Sequence, residues 1–230
     1  MSVLIAIPAR YASSRSPGKP LVALNGASGV AATLIERSWR AAQAVGGVDR
    51  VVVSTDDERI RDAAAAFGAE VVMTSTTCAN GTERCAETLQ KLSGDYDIVV
   101  NLQGDAPLTP AWFIENLVAG LRASPDAEIA TPVLRCDGAT LNGLLEDRKA
   151  GRVGGTTAVF DAAGHALYFS KEVIPFTPQD FAARDQTPVF HHVGVYAYRP
   201  SALSAYSGWP VGPLERLEGL EQLRFLENGR

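Results

Sequence analysis

The sequence predicts an α/β chain built on a doubly wound, mostly parallel sheet, followed by a smaller region of mixed strands. Three observations carry this. Apolar runs without alternation at residues 3–7, 51–53 and 98–102 read as strands buried on both faces, as in a parallel sheet. Stretches of helical spacing separate them, so the first half reads β-loop-α-β-α-β-α-β-α. At 230 residues and 46% hydrophobic, the chain can bury one substantial core and leaves no room for a second domain of ordinary size.

Taken in order, the first strand, 3–7, runs into Pro8 and a basic loop that ends at Leu21. Leu34, Ile35, Trp39 and Ala42 give helical spacing over 33–45, and the strand 51–53 ends in Ser54-Thr55-Asp56-Asp57. Residues 58–67 form a helix capped by Asp56 or Asp57 and stopped by Gly68. A strand at 71–73, a helix at 82–92 and the strand 98–102 follow, the last running into Gln103-Gly104-Asp105-Ala106-Pro107. The helix 110–121 has Trp112, Phe113 and Leu117 on its apolar face. The second half changes character. Strands are expected at 129–134, 157–160, 166–170 and 193–198, with 137–155 polar and irregular and 175–188 a long proline-containing loop. Residues 214–226 read as one helix with Glu215, Glu218 and Glu221 along a solvated face. The single domain thus divides into a first part, 1–134, and a second, 135–230.

A net charge of −5 and a pI near 5.3 provide no overall basic field for a nucleic-acid backbone, so no nucleic-acid partner is expected. No apolar run approaches the roughly 18 residues that span a bilayer, and the N-terminus enters a strand without a charged leader. The expectation is a cytoplasmic protein with no membrane partner. Cys78, Cys85 and Cys136 are odd in number and lack zinc-knuckle spacing, which reads as three reduced thiols.

The chemistry concentrates where strands end. Arg10, Arg15 and Lys19 lie with Ser13 in a loop leaving the carboxyl end of a central strand, the edge at which open α/β sheets bind ligands. Three cations in so short a loop suit a polyphosphate, or else form a solvated surface. A dinucleotide fingerprint fails because Gly18 is the loop's only glycine, and a Walker loop fails because Pro20 replaces the hydroxyl residue and lacks an N–H. Asp105, at the end of strand 98–102, is the best single ligand for a divalent metal, the alternative being a cap on the helix that follows. Gly81-Thr82-Glu83-Arg84 opens a helix whose free N–H groups and arginine could meet a ligand, or is a plain capped start. No serine or cysteine stands in a motif that would give His165, His191 or His192 a triad role. His192 either hydrogen-bonds a hydroxylated substrate or is structural.

With these residues assembled, the chain resembles the 3-deoxy-manno-octulosonate (Kdo) cytidylyltransferase family from Val3 to Leu226. The longest match runs Ile7-Pro8-Ala9-Arg10-Tyr11-Ala12-Ser13-Ser14-Arg15-Ser16-Pro17-Gly18-Lys19-Pro20-Leu21. Five more follow in order: Gly81-Thr82-Glu83-Arg84, Asn101-Leu102-Gln103-Gly104-Asp105, Ala166-Leu167-Tyr168-Phe169-Ser170, His192-Val193-Gly194-Val195-Tyr196, and Pro213-Leu214-Glu215 with Leu220-Glu221-Gln222-Leu223-Arg224. The resemblance implies a fold of the nucleotide-diphospho-sugar transferase type, with the second part binding sugar and forming a homodimer. It implies transfer of CMP from CTP to the anomeric hydroxyl of an eight-carbon sugar acid, with release of pyrophosphate, for lipopolysaccharide or capsule synthesis. Arg10, Ser13, Arg15 and Lys19 would hold the triphosphate with Thr82 and Arg84 nearby, Arg10, Lys19 and Asp105 forming the catalytic set and Asp105 binding Mg²⁺. Gln103, His192, Tyr196, Glu221 and Gln222 would contact the sugar. Another ulosonic acid, amino-substituted or sialic-type, and a catalytically silent homologue are the alternatives. The chain departs from the family at Ser16, Ala106, Thr157 and Lys171, and the family's later G-x-D-T-x-x-D-L segment, with a second Mg²⁺ ligand, lies past Arg230. On that pattern Asp105 alone is expected to hold Mg²⁺ weakly.

Overall fold

The computed structural model describes residues 2–12, 16–26 and 29–230. The chain forms two compact units, one made of residues 1–130 and 194–208 and the other of 131–193 and 209–230. These are not the consecutive parts 1–134 and 135–230 expected from the sequence, because a later segment returns to the first unit.

The first unit opens with β1 (Val3–Ala9), every residue of which is buried. A 3-10 turn at Lys19–Leu21 and a hairpin of β2 (Ala23–Asn25) and β3 (Ala31–Thr33) precede α1 (Leu34–Gln43). There follow β4 (Arg50–Thr55), α2 (Glu58–Ala66), β5 (Glu70–Met73), α3 (Gly81–Lys91), β6 (Ile98–Leu102), α4 (Ala111–Ala123) and β7 (Ile129–Ala130). The caps are local and polar, as the composition of the loops dictates. Thr33 accepts from Glu36 N at 3.3 Å, Asp57 from Arg59 N at 3.0 Å and Asn80 from Glu83 N at 2.8 Å. Of the two candidate caps for α2, Asp57 is the one used.

The second unit begins with β8 (Val133–Asp137), α5 (Gly138–Lys149), β9 (Thr157–Phe160), β10 (Ala166–Ser170) and β11 (Gln186–His192). The chain then re-enters the first unit as β12 (Val195–Tyr198) and α6 (Pro200–Gly208) and finishes in the second as α7 (Pro213–Glu218) and α8 (Leu223–Glu227). The first unit's sheet runs β5-β4-β1-β6-β12-β7, parallel from β5 to β6, with β12 antiparallel to both neighbours. The second unit's sheet runs β10-β9-β11-β8 and is antiparallel throughout. The doubly wound, mostly parallel sheet and the mixed-strand region are therefore both present.

Three expectations need correction. Residues 138–149 are helical, not irregular: Asp137 caps them, accepting from Thr140 N at 2.8 Å, and Leu141 and Leu144 bury against Cys136 and Val189. Gly138 is a packing glycine, since a Cβ there would lie 2.0 Å from Ala182 O. The expected single helix 214–226 breaks at Gly219, in the left-handed region at φ +61°, giving α7 and α8. Nor is its acidic face solvated: Glu215 is buried against Arg224, and Glu218 accepts from Ser170 Oγ at 2.7 Å and Lys171 N at 2.9 Å. Residues 200–208, to which the sequence reading assigns no element, form α6, with Ala202, Leu203 and Tyr206 buried.

Candidate active site

Strand β1 lies between β4 and β6 in the parallel sheet, with Ile5 opposite Val51 on one side and Val100 on the other. The loops after β1 and β6 consequently leave the same sheet edge as neighbours. Gly104 brings them into contact: its N–H donates to Pro8 O at 3.1 Å, and its carbonyl accepts from Ser38 Oγ at 3.0 Å. A Cβ on Gly104 would sit 2.9 Å from Pro8 O and 3.2 Å from Ala9 Cβ. Glycine is required here by backbone approach, not by an unusual φ.

This approach pairs the two ends of the proposed catalytic set. Lys19 Nζ donates to Asp105 Oδ2 at 2.6 Å, with both side chains about half exposed, at 48% and 47%. A surface pair of this kind stabilises by only about 0–1 kcal/mol, so it can be opened and rearranged around an anion or a cation at little cost. Arg10 is exposed one residue after β1 and makes no hydrogen bond or ion pair among the described residues. Asp105 does not cap the following helix, whose N-cap is Pro110 without a side-chain bond. Ser13 and Arg15 lie outside the described residues.

Thr82 and Arg84 are held inside the first unit. Thr82 is fully buried, its Oγ1 2.9 Å from Tyr198 Oη. Arg84, 3% exposed, donates to Thr74 Oγ1 and pairs with Asp56 Oδ2 at 3.3 Å. Both side chains frame the start of α3 from within. At that start, a Cβ on Gly81 would lie 2.9 Å from Gln103 Nε2 and 3.0 Å from Asn101 Nδ2. Gln103 donates to Asn101 Oδ1 at 3.1 Å, which orients its carboxamide at the end of β6.

Of the residues expected to meet a sugar, Gln103 and Tyr196 belong to the first unit and His192, Glu221 and Gln222 to the second. Tyr196 is 4% exposed and stacks on Tyr198 with centroids 5.9 Å apart. His192 is 6% exposed, its Nε2 2.8 Å from Thr131 Oγ1 and its ring edge-on to Phe169 at 4.9 Å. Burial, reinforced by neighbouring His191, pushes its pKa down from 6.5 to about 4, so the ring is neutral at pH 7. Gln222 is buried at the N-cap position of α8, and Glu221 is half-buried just before it.

For Mg²⁺, the fit rests on Asp105. One of its carboxylate oxygens, Oδ2, is engaged by Lys19, and the side chain is open to solvent at the sheet edge. Among the described residues no group of three or more His, Cys, Asp or Glu side chains could hold a metal by itself. A single carboxylate is the least that Mg²⁺ takes from a protein, since it uses one or two carboxylates and completes its shell with phosphate and water. None of the three cysteines is in a disulfide; Cys85 and Cys136 are buried, and Cys78 is pushed up to about 12 by burial and by Glu87. Among the described residues no helix is long and apolar enough to cross a membrane.

Comparison with known proteins gives one answer. The family model described as cytidylyltransferase matches residues 4–230. A 3-deoxy-manno-octulosonate cytidylyltransferase from Maricaulis maris is 48% identical over 229 residues, covering 100% of this chain and 85% of that protein. A mitochondrial protein of the same description from Arabidopsis thaliana is 42% identical, covering 97% and 72%. A CMP:2-keto-3-deoxy-manno-octonic acid synthetase solved in complex with CTP is similar in structure, with TM-score 0.83 and 35% identity, over 100% of this chain and 87% of that one.

Proposed function

The chain belongs to the 3-deoxy-manno-octulosonate cytidylyltransferase family, and on that premise we propose that it transfers CMP from CTP to the anomeric hydroxyl of Kdo. The hydroxyl oxygen bonds to the α-phosphorus as the bond to the pyrophosphate oxygen breaks, and the hydroxyl proton is lost. The observation that carries this reading is the Lys19–Asp105 pair at the carboxyl edge of β1 and β6, a cation for phosphate beside a carboxylate for metal. In-line displacement needs positioning and charge neutralisation more than covalent help from the protein.

In this reading Arg10 and Lys19 neutralise the pyrophosphate as it leaves, joined by Ser13 and Arg15 from the same loop. Thr82 and Arg84 fix the start of α3, whose N–H groups face an anion better than those two buried side chains can. Gln103, held by Asn101, Tyr196, neutral His192, Glu221 and Gln222 are the candidates for hydrogen bonds to sugar hydroxyls. Asp105 would hold Mg²⁺, which when bound supplies charge neutralisation at the phosphates. A homodimer and a cytoplasmic setting belong to the same proposal. Exposed Leu134 and Leu167 in the antiparallel sheet support pairing of two copies, and three cysteines without a disulfide suit a reducing compartment.

The test is pyrophosphate release with CTP and Kdo in Mg²⁺, set against ATP, UTP and a nine-carbon sialic acid. Release that needs both CTP and Kdo, and that chelation with EDTA abolishes, is expected. Release indifferent to the sugar, or equal turnover of another nucleotide, contradicts the proposal.

A further inference from the structure

The turn that carries Lys19 is braced from the other side of β1 by an aromatic ring and a guanidinium. Tyr11 O accepts from Gly18 N at 3.0 Å, closing the basic loop at its base. Gly18 is buried in the left-handed region at φ +71°, and a Cβ there would lie 3.1 Å from the Tyr11 ring. Tyr11 is thus seated against Gly18 with no space between them.

Arg59 completes the brace from α2. Its Cζ lies 3.3 Å from the Tyr11 ring centroid, a close cation–π contact. The guanidinium is held in place by Asp57, whose carboxylate accepts from Arg59 Nε at 2.9 Å and Nη2 at 2.6 Å. Asp57 is itself fixed, because it caps α2 by accepting from Arg59 N at 3.0 Å. The connection therefore runs from the cap of α2 through Arg59 and Tyr11 to Gly18, and through Lys19 to Asp105.

We infer that Arg59 is a positioning residue for the nucleotide loop: clamped by Asp57, it holds Tyr11 against Gly18 and so sets where Lys19 presents its ammonium. Arg59 is 59% exposed and touches no group assigned to the chemistry, so its effect reaches the site only through Tyr11. The inference rests on the proposed cytidylyltransferase reading for its kinetic consequence, while the clamp itself can be read without substrate.

Two measurements on Arg59→Ala, Arg59→Lys, Tyr11→Ala, Tyr11→Phe and the double variant Arg59→Ala/Tyr11→Ala test it. In turnover with CTP and Kdo, Arg59→Ala is expected to raise KM for CTP roughly two- to fivefold, the size of an exposed cation–π contact, with kcat at saturating CTP little changed. Arg59→Lys, which keeps the cation but loses the two-point fork to Asp57, should fall between, and Tyr11→Phe should match wild type. The double variant should be no worse than Tyr11→Ala alone, because the two residues act in series. In hydrogen exchange on the substrate-free protein, the Gly18 amide should exchange faster in Arg59→Ala at unchanged melting temperature. Unchanged exchange, additive KM effects, or faster exchange with unchanged KM would each overturn the positioning role. If wild type shows no CTP-dependent turnover, the functional reading fails, and the exchange arm still decides whether Arg59 holds the turn.

Discussion

The two units present their candidate site residues in opposite ways. In the first, the charges of the loops at the sheet edge are exposed and loosely held, although Arg84 behind them is buried: Arg10 is solvated, and Lys19 meets Asp105 in a pair about half open to water. In the second, the corresponding residues are enclosed: His192 and Gln222 are 6% and 4% exposed, and the adjacent Glu215–Arg224 pair is 7% and 2%. Exposed charges contribute little to folding and remain available for a charged ligand. Enclosed ones are committed to the fold and can offer a ligand only hydrogen bonds of fixed geometry.

The comparison breaks most visibly at Arg224, which donates to Glu215 through Nε at 2.6 Å and Nη2 at 2.8 Å. Arg224→Ala leaves a buried carboxylate without its main partner and should cost about 3–5 kcal/mol. Urea unfolding followed by circular dichroism checks this, and a loss under 1 kcal/mol would mean that the pair is no more committed than the surface one.

His192 sharpens the contrast through pH. Its folded pKa of about 4 lies below the ordinary 6.5, so between these values the unfolded chain binds the extra proton and stability falls as pH drops from 6.5 towards 4. Half-buried His191, also pushed down by desolvation, acts in the same direction. For His192 the full effect is on the order of 3 kcal/mol. His192→Gln should flatten the stability–pH curve in that window, and an unaltered slope would show that the imidazole titrates normally in the fold.

How much of this division is legible in the sequence differs between the units. In the first, strand burial, loop charge and motif order are local properties, and they lead directly to β1, β4 and β6 and to Lys19 and Asp105. The caps follow from residue type, Asp57 and Asn80 being strong ones. What is not legible depends on pairs distant in sequence. Gly104 is conspicuous only once Pro8 is seen beneath it, and Arg59 reaches Tyr11 across forty-eight positions with no periodicity to signal it. In the second unit the local signals mislead. The polar stretch 137–155 suggests irregularity where Gly138 permits a helix to pack against residue 182, and the glutamates spaced for a solvated face are drawn inward by Arg224, Ser170 and Lys171 once Gly219 breaks the helix.

Smaller effects are expected at the exposed edge. Gly18→Ala forces a Cβ into the left-handed region and against Tyr11, and should destabilise by about 1–2 kcal/mol with a visible drop in melting temperature. A silent substitution there would mean that the turn can relax without Tyr11. The least effect on folding should come from Lys19→Ala, about 0–1 kcal/mol in the same melting experiment. A larger loss would make Lys19 as structural as Arg224.

Lys19→Ala and Arg10→Ala also test the division from its functional side, by calorimetric titration with CTP in Mg²⁺. If the exposed edge is the nucleotide site, each variant loses a charge-assisted hydrogen bond of about 1.5–3 kcal/mol, so the Kd for CTP rises roughly tenfold or more while the fold stays intact. CTP affinity unchanged in both variants would contradict the assignment of that edge to the triphosphate.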